Sequence, residues 1–125
     1  MTNGRLSLAI NSRQKGARNE RLLAQLLREN GFEDARRGCQ YNGMTGSPDV
    51  LGIPNIHIEC KAVERLNIHE AMAQSARDAK GLELPTVFHK KNRTGWLVTM
   101  RFEDWLLLYN LSEFSEKQDE REEQA

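Results

Sequence analysis

The residues best suited to chemistry are two acids and a lysine near the middle of the chain. Asp49 follows Pro48, and after nine intervening residues comes Glu59-Cys60-Lys61. Strand side chains alternate between two faces, so Glu59 and Lys61 are expected on one face. Two converging carboxylates make a hard oxygen site suited to Mg²⁺, to which the backbone carbonyl of Cys60 would add a ligand. The pattern predicts phosphodiester hydrolysis, because a bound divalent ion activates water and offsets phosphate charge.

The role of Lys61 stays open between two alternatives. It would position or deprotonate the attacking water, or it would neutralise the pentacoordinate species that forms during the reaction. The opposing interpretation is that Glu59 and Lys61 are an ordinary solvent-facing pair on an amphipathic strand. The presence of Asp49 ten residues before Glu59 favours a catalytic site over this interpretation.

A third candidate acid, Glu20, lies in a predicted helix. It precedes Leu23 and Leu27 by three and seven residues, which places it at the end of an apolar stripe. A carboxylate at the margin of a buried face costs desolvation unless it has a partner, and a metal ion would be one. Acids in the first turns of helices are also common for dipole reasons alone.

The elements that must position these residues follow from periodicity and turn signals. Ser12 is expected to cap a helix that runs to about Asn30, with Gly31 just beyond its end. Its predicted apolar stripe consists of Leu22, Leu23, Leu26 and Leu27. Asn67 is expected to cap a second helix that runs to about Lys80, and a short third helix is expected over Phe102–Tyr109. Predicted strands are Phe32 to about Gln40, Asp49–Ile53, Ile56–Ala62, Thr86–Lys90 and Gly95–Met100.

This order of elements predicts one α/β domain, a small sheet flanked by helices, over residues 1–111. Residues 1–11 are expected to form a loosely held arm. Residues 112–125 are expected to form an acidic tail, with a frayed helix and disorder both left open.

The net charge conceals a polarity along the chain. Eighteen basic residues balance 18 acids, which at first argues against a nucleic-acid partner. Residues 1–102, however, carry a net charge of +6, and residues 103–125 carry −6. The basic residues of the body are either a solubilising surface or contacts to a DNA backbone. The candidate DNA contacts are Arg13, Lys15, Arg18, Arg36, Arg37, Lys90, Lys91 and Arg93, and at most one of Arg36 and Arg37 is expected to face the site.

Other residues carry weaker signals. His57, His69 and His89 have no ligand spacing; His57 shares the strand face of Glu59 and is expected in a supporting or surface role. Cys39 and Cys60 fit neither a disulfide framework nor a zinc motif. No apolar run approaches the ~20 residues of a membrane span, and no secretory signal is evident. We therefore expect a cytoplasmic protein without membrane partners.

The ordered motifs resemble one known family. They are Lys15-Gly16-Ala17-Arg18-Asn19-Glu20, Gly31-Phe32, Arg36-Arg37-Gly38, Pro48-Asp49-Val50, Ile58-Glu59-Cys60-Lys61, Val87-Phe88-His89-Lys90-Lys91 and Trp96-Leu97-Val98. Together, over roughly residues 13–109, they resemble the archaeal-type Holliday junction resolvases of the PD-(D/E)xK nuclease superfamily, in particular phage and bacterial relatives.

The resemblance implies a restriction-endonuclease-like core with a small mixed central sheet. It implies that Glu20, Asp49 and Glu59 bind Mg²⁺, for which Mn²⁺ substitutes, that Lys61 is the catalytic lysine and that Gln74 supports the site. It further implies a homodimer that resolves four-way DNA junctions in recombination and repair. A phage source is implied as well, which would place the protein in the cytoplasm of a bacterial host.

Two other functions stay open. A restriction-like or repair nuclease acting on linear or flapped duplex would use the same catalytic residues. A DNA-binding protein that has lost activity would keep only the fold, and the complete set of three acids and a lysine argues against it.

Overall fold

The computed structural model describes residues 3–38 and 47–116. Its helices are α1 (Asn3–Glu29), α2 (Ile68–Asp78) and α3 (Phe102–Leu111), and its strands are β1 (Arg36–Arg37), β2 (Val50–Leu51), β3 (Ile56–Ala62), β4 (Leu84–Lys90) and β5 (Leu97–Met100). The predicted order of helices and strands is confirmed. Cys39, the end of the predicted first strand at Gln40 and most of the acidic tail lie outside the described residues.

The five strands form one mixed sheet in the order β1-β2-β3-β4-β5. Neighbouring strands are antiparallel except β3 and β4, which run parallel and are connected through α2. Helix α1 packs against β1, β2 and β3, and α2 packs against β3 and β4. Strand β3 is therefore central to the sheet and contacts both helices, and three of its residues are buried.

Helix α1 starts earlier than the sequence indicates. It begins at Asn3, so Ser12 lies inside the helix and the prediction of an N-cap at Ser12 was wrong. The preceding residues contain no proline to stop the helix from extending. The predicted end is confirmed: Gly31 has a φ of 102°, and the Phe32 N–H donates to the Leu27 carbonyl over 3.0 Å.

The apolar stripe of α1 is narrower than predicted. Leu23 and the adjacent Ala24 are buried, whereas Leu22 and Leu26 are 48% and 40% exposed. β1 and β2 are only two residues each, so the sheet covers one narrow side of the helix. The core cluster of Leu23, Ala24, Val50 and Ile58 is joined by Leu27, Ile53, Ile56, Cys60, Phe88 and Trp96.

Helix α2 is fixed at its start and along its inner face. The Asn67 side chain accepts a hydrogen bond from the Glu70 N–H, which confirms the predicted cap. The buried Ser75 hydroxyl donates to the His57 carbonyl on β3 and accepts from the Thr86 N–H on β4. One side chain thus ties the helix to two strands.

Two other predictions need correction. The predicted strand from Phe32 is reduced to Arg36–Arg37, because Phe32 to Ala35 form a turn in which the Ala35 N–H donates to the Phe32 carbonyl. Helix α3 extends two residues beyond its predicted end at Tyr109, it makes few contacts with the sheet, and Phe102 at its start is 74% exposed. Among the described residues, no helix is both long and apolar enough to cross a membrane.

Candidate active site

Asp49 lies where β2 and β3 separate. Its N–H donates to the Ile58 carbonyl, and its carboxylate accepts a hydrogen bond from the Cys60 N–H, each over 2.8 Å. Pro48, which precedes it, has no N–H with which to continue the ladder. The Asp49 side chain therefore takes the place of a backbone acceptor, which fixes the carboxylate at the split between the strands.

Two glycines hold this arrangement together. The Gly38 N–H donates to the Asp49 carbonyl over 2.8 Å, and a Cβ on Gly38 would lie 2.1 Å from the Pro48 carbonyl oxygen. Gly52, with a φ of 98°, starts the tight turn that returns the chain from β2 to β3. A Cβ on Gly52 would lie 2.2 Å from the Asp34 carbonyl oxygen. Both positions therefore require glycine for the close approach of backbone segments.

Glu59 is buried directly beside Asp49. It is 2% exposed, so the interpretation of Glu59 and Lys61 as a solvent-facing pair is wrong. Burial raises the pKa of Glu59 to about 8, and the charge and hydrogen bond of Asp49 add to the shift while Lys61 opposes it. Without a cation, this carboxyl holds its proton at neutral pH, as expected where two carboxyls share one site.

Glu20 reaches the same region from α1. Its carboxylate accepts a hydrogen bond from Arg37 Nε over 2.6 Å. Burial raises the pKa of Glu20, and Asp49 raises it further, whereas the hydrogen bond from Arg37 lowers it. Arg37 thus compensates an acid of the site, while Arg36 bonds to the Asp34 carbonyl. Only one of the two arginines faces the site, as the alternation predicted.

The residues predicted for catalysis, metal binding and support of the site all line one cavity of about 460 Å³. Helix α1 contributes one wall, the β2–β3 split forms the floor, and α2 contributes Gln74. Lys15, predicted only as a DNA contact, lies in the same wall, and Asn19 was missed. Lys15 and Asn19 are one helical turn apart and Asn19 directly precedes Glu20, which is the signal that was available in the sequence. The lining residues are Lys15, Gly16, Asn19, Glu20, Asp49, Glu59, Cys60, Lys61, Ala62, Val63 and Gln74.

Most of the other basic candidates lie outside this cavity. Lys15 and Arg18 line a shallow cavity on α1 beside the site, together with Gln14 and Arg21. Lys90 and Lys91 line a different cavity of about 600 Å³, where the Lys90 ammonium lies 5.7 Å from the Trp96 ring centroid. Arg13 and Arg93 are exposed, and Arg93 has a φ of 63° in the turn after β4. The structure thus brings only Lys15 and Arg37 to the acids.

On β3, His57 differs from one of its two expected roles, whereas Cys60 keeps its expected place in the strand interior. His57 is fully buried, so a surface role for it is wrong; its Nε2 lies 3.6 Å from Glu59 Oε1. Burial, with the charges of Asp49 and Glu20 added, raises the pKa of the Cys60 thiol to about 12. This thiol stays protonated and packs in the core, which leaves the backbone of Cys60 as its contribution to the cavity.

The donor set of the cavity fits a hard divalent ion. Asp49, Glu59 and Glu20 supply carboxylate oxygens, the ligands that Mg²⁺ and Mn²⁺ prefer. Burial and the neighbouring Asp49 raise the pKa of Glu59, and a bound cation would instead favour the ionised form of this carboxyl.

Comparison with known proteins gives one match. A protein-family model described as "Archaeal holliday junction resolvase (hjc)" matches residues 11–119, most of the chain. Searches of curated proteins and of solved structures returned no match.

Proposed function

Since this chain belongs to the archaeal Holliday junction resolvase family, we propose that it is a metal-dependent endonuclease that cuts four-way DNA junctions by phosphodiester hydrolysis. Membership confirms the predicted restriction-endonuclease-like PD-(D/E)xK core and implies nuclease activity. The dependence on metal, the residues that perform the reaction and the preference for a crossover are the proposed parts.

One observation carries the proposal. A single cavity is lined by side chains from α1, from the β2–β3 hairpin and from α2. These are Glu20, Asp49, Glu59, Lys61 and Gln74. Asp49 and Glu59 are buried together, although two carboxylates repel each other. Such an arrangement costs stability in a structural protein and is useful where a cation binds.

The catalytic roles follow from this placement. A bound Mg²⁺ or Mn²⁺ would lower the pKa of a coordinated water and offset the charge that develops on the phosphate. Asp49 and Glu59 would hold the ion, with Glu20 as a third acid and the Cys60 carbonyl as a further oxygen ligand. Lys61 shares the face of Glu59, where its ammonium orients the attacking water or stabilises the pentacoordinate phosphorus.

The supporting roles are assigned on the same basis. Gln74 lines the cavity from α2, where its amide would support the acids, and Lys15, which also lines the cavity, would meet the phosphate. The other basic candidates contact the phosphate backbone without reading bases. They are Arg13, Arg18, Arg36, Arg37, Lys90, Lys91 and Arg93.

We further propose a homodimer, which presents two sites to opposite strands of a junction. Helix α3 favours this arrangement, because it makes few contacts with the sheet and exposes Phe102 and Leu111 at 74% and 77%. A second copy of the chain would cover these side chains.

The assignment of the acids is tested with Asp49→Asn and Glu59→Gln. Each keeps the shape of the side chain and removes its charge. Cleavage of a synthetic four-way junction in Mg²⁺ should fall at least about a thousandfold, since metal-ion catalysis is worth several kcal/mol. Junction binding, measured by gel shift in Ca²⁺, should remain within about threefold, because phosphate contacts dominate affinity.

The matched control is Asp34→Asn, an exposed acid outside the cavity, which should cut at the wild-type rate. Undiminished cleavage by Asp49→Asn or Glu59→Gln would overturn the site. A wild-type protein that binds junctions but cuts no DNA in Mg²⁺ or Mn²⁺ would favour the inactive DNA-binding alternative.

A further inference from the structure

His57 is a buried polar side chain without a hydrogen-bond partner among the described residues. It is fully shielded from solvent, and neither ring nitrogen has a hydrogen-bond partner among the residues that the structure describes. A buried polar group normally has such a partner, because leaving it unpaired costs stability. The function proposed above assigns nothing to this ring.

Carboxylates surround the ring at a distance typical of metal ligands. Nε2 lies 3.6 Å from Glu59 Oε1, and the ligand atoms of His57, Glu59 and Asp78 all lie within 4.8 Å of one another. A separation of 3.6 Å is too long for a hydrogen bond. It matches two ligands of one ion, since bonds of about 2.0–2.2 Å in a tetrahedral site place ligand atoms roughly 3.3–3.6 Å apart.

The fold holds these three residues in place. His57 and Glu59 are two residues apart on β3 and so share a face. On α2, the Ser75 hydroxyl donates to the His57 carbonyl, and Asp78 follows Ser75 by three residues. Asp78 also follows Gln74 by one turn, so α2 places Gln74 at the catalytic cavity and Asp78 at His57.

The second ring nitrogen faces a further acid. Nδ1 lies 3.6 Å from Glu83 Oε1. Histidines that bind metal through one nitrogen usually direct the other to a carboxylate, which fixes the orientation of the ring. Glu83 lies on the Nδ1 side of the ring, where such a carboxylate is expected, but at an ion-pair distance and not at a hydrogen-bond distance.

We propose that His57, Glu59 and Asp78 bind a divalent transition-metal ion of the Zn²⁺ class at a site distinct from the Mg²⁺ site and joined to it by Glu59. Imidazole with carboxylates suits Zn²⁺ and related ions, whereas Mg²⁺ prefers oxygen ligands throughout. Three protein ligands leave a fourth position for water. Because Glu59 belongs to both sites, occupancy of one changes the affinity of the other for its ion.

Titration of the purified chain with Co²⁺, followed by its visible absorption, tests the proposal. Co²⁺ replaces Zn²⁺ in nitrogen and oxygen sites and reports its coordination by colour. The wild-type protein should bind Co²⁺, and Zn²⁺ but not excess Mg²⁺ should displace it. His57→Gln and Asp78→Asn should each weaken Co²⁺ binding tenfold or more.

Two further variants make the result specific. His69→Gln, which removes an exposed histidine from the same helix as Asp78, should bind Co²⁺ as the wild type does. Glu20→Gln should retain the Co²⁺ absorption, because Glu20 pairs with Arg37 and belongs to the Mg²⁺ site only. This readout involves no DNA, so it is independent of whether the chain is a resolvase.

Unchanged Co²⁺ affinity in either His57→Gln or Asp78→Asn would overturn the proposal. Loss of the Co²⁺ absorption in Glu20→Gln would also overturn it, because the ion would then occupy the catalytic cavity. If His57→Gln does not fold, by circular dichroism, Asp78→Asn decides alone, because its side chain is half-buried at the end of α2.

Discussion

At the scale of single residues, burial distinguishes the acids of the site from ordinary surface charges. The spacing of Asp49, Glu59 and Lys61 was sufficient to predict that they lie together. It could not show that Glu59 retains its proton, because that depends on desolvation and on the position of Asp49. The pairing of Glu20 with Arg37 joins residues 17 positions apart and has no sequence signal. The same holds for the complete burial of His57.

The raised pKa of Glu59 makes the stability of the metal-free protein depend on pH. In the unfolded chain Glu59 ionises near its ordinary pKa of 4.5, whereas in the folded chain its pKa is about 8, so it keeps its proton to that pH. Folding takes up a proton between these values, so Glu59 lowers stability progressively as the pH rises through this window. Glu59→Gln, which mimics the protonated form, should therefore stabilise the protein above pH 8.

Thermal unfolding in EDTA at pH 5 and pH 9 measures this effect. The midpoint of Glu59→Gln should exceed that of the wild type by about 5 °C or more at pH 9, with a much smaller difference at pH 5. The exposed Glu70→Gln serves as the control and should show no such dependence. A variant less stable than the wild type at pH 9 would mean that Glu59 is ionised and stabilised in the folded protein.

At the scale of elements, short strands and close backbone contacts position the site. The alternation of Ile56–Ala62 and the cap at Asn67 are local signals, and both were predicted from the sequence. The position of Asp49 depends instead on Gly38, whose N–H holds the Asp49 carbonyl from the neighbouring β1. Nothing local to Gly38 indicates this contact, because it forms only when β1 pairs with β2.

Gly38→Ala should therefore damage both the fold and the site. The new methyl group would lie 2.1 Å from the Pro48 carbonyl oxygen, which is backbone and cannot rotate away. We expect a loss of about 1–3 kcal/mol in the free energy of unfolding, typical of an overpacked contact, and a loss of cleavage as Asp49 shifts. Urea unfolding and the junction assay measure the two effects.

Gly95→Ala is the control for this substitution, because a Cβ there meets no atom within 4 Å. It should leave stability and cleavage near wild-type values. Full stability and full cleavage in Gly38→Ala would show that the approach of β1 does not position Asp49.

At the scale of the whole molecule, the net charge of zero conceals an uneven distribution of charge along the chain. The basic excess lies in residues 1–102, which include all the acids of the cavity, and the compensating acids follow in residues 103–125. The match of residues 11–119 to the resolvase family spans both parts. Local patterns were sufficient to predict the α/β class and the order of elements. The extent of α1 and the exposure of α3 were not predicted, because they depend on how much of each helix the sheet covers.

The proposed activity is cleavage of branched DNA by the residues of this cavity with the help of a divalent ion. The most direct measurement compares the wild-type protein on a mobile four-way junction and on linear duplex of the same sequence, each with Mg²⁺ and with EDTA. We expect cleavage of the junction in Mg²⁺ at least about tenfold faster than of the duplex, a preference of about 1.4 kcal/mol, and no cleavage in EDTA. Equal cleavage of both substrates, or cleavage that persists in EDTA, would contradict it.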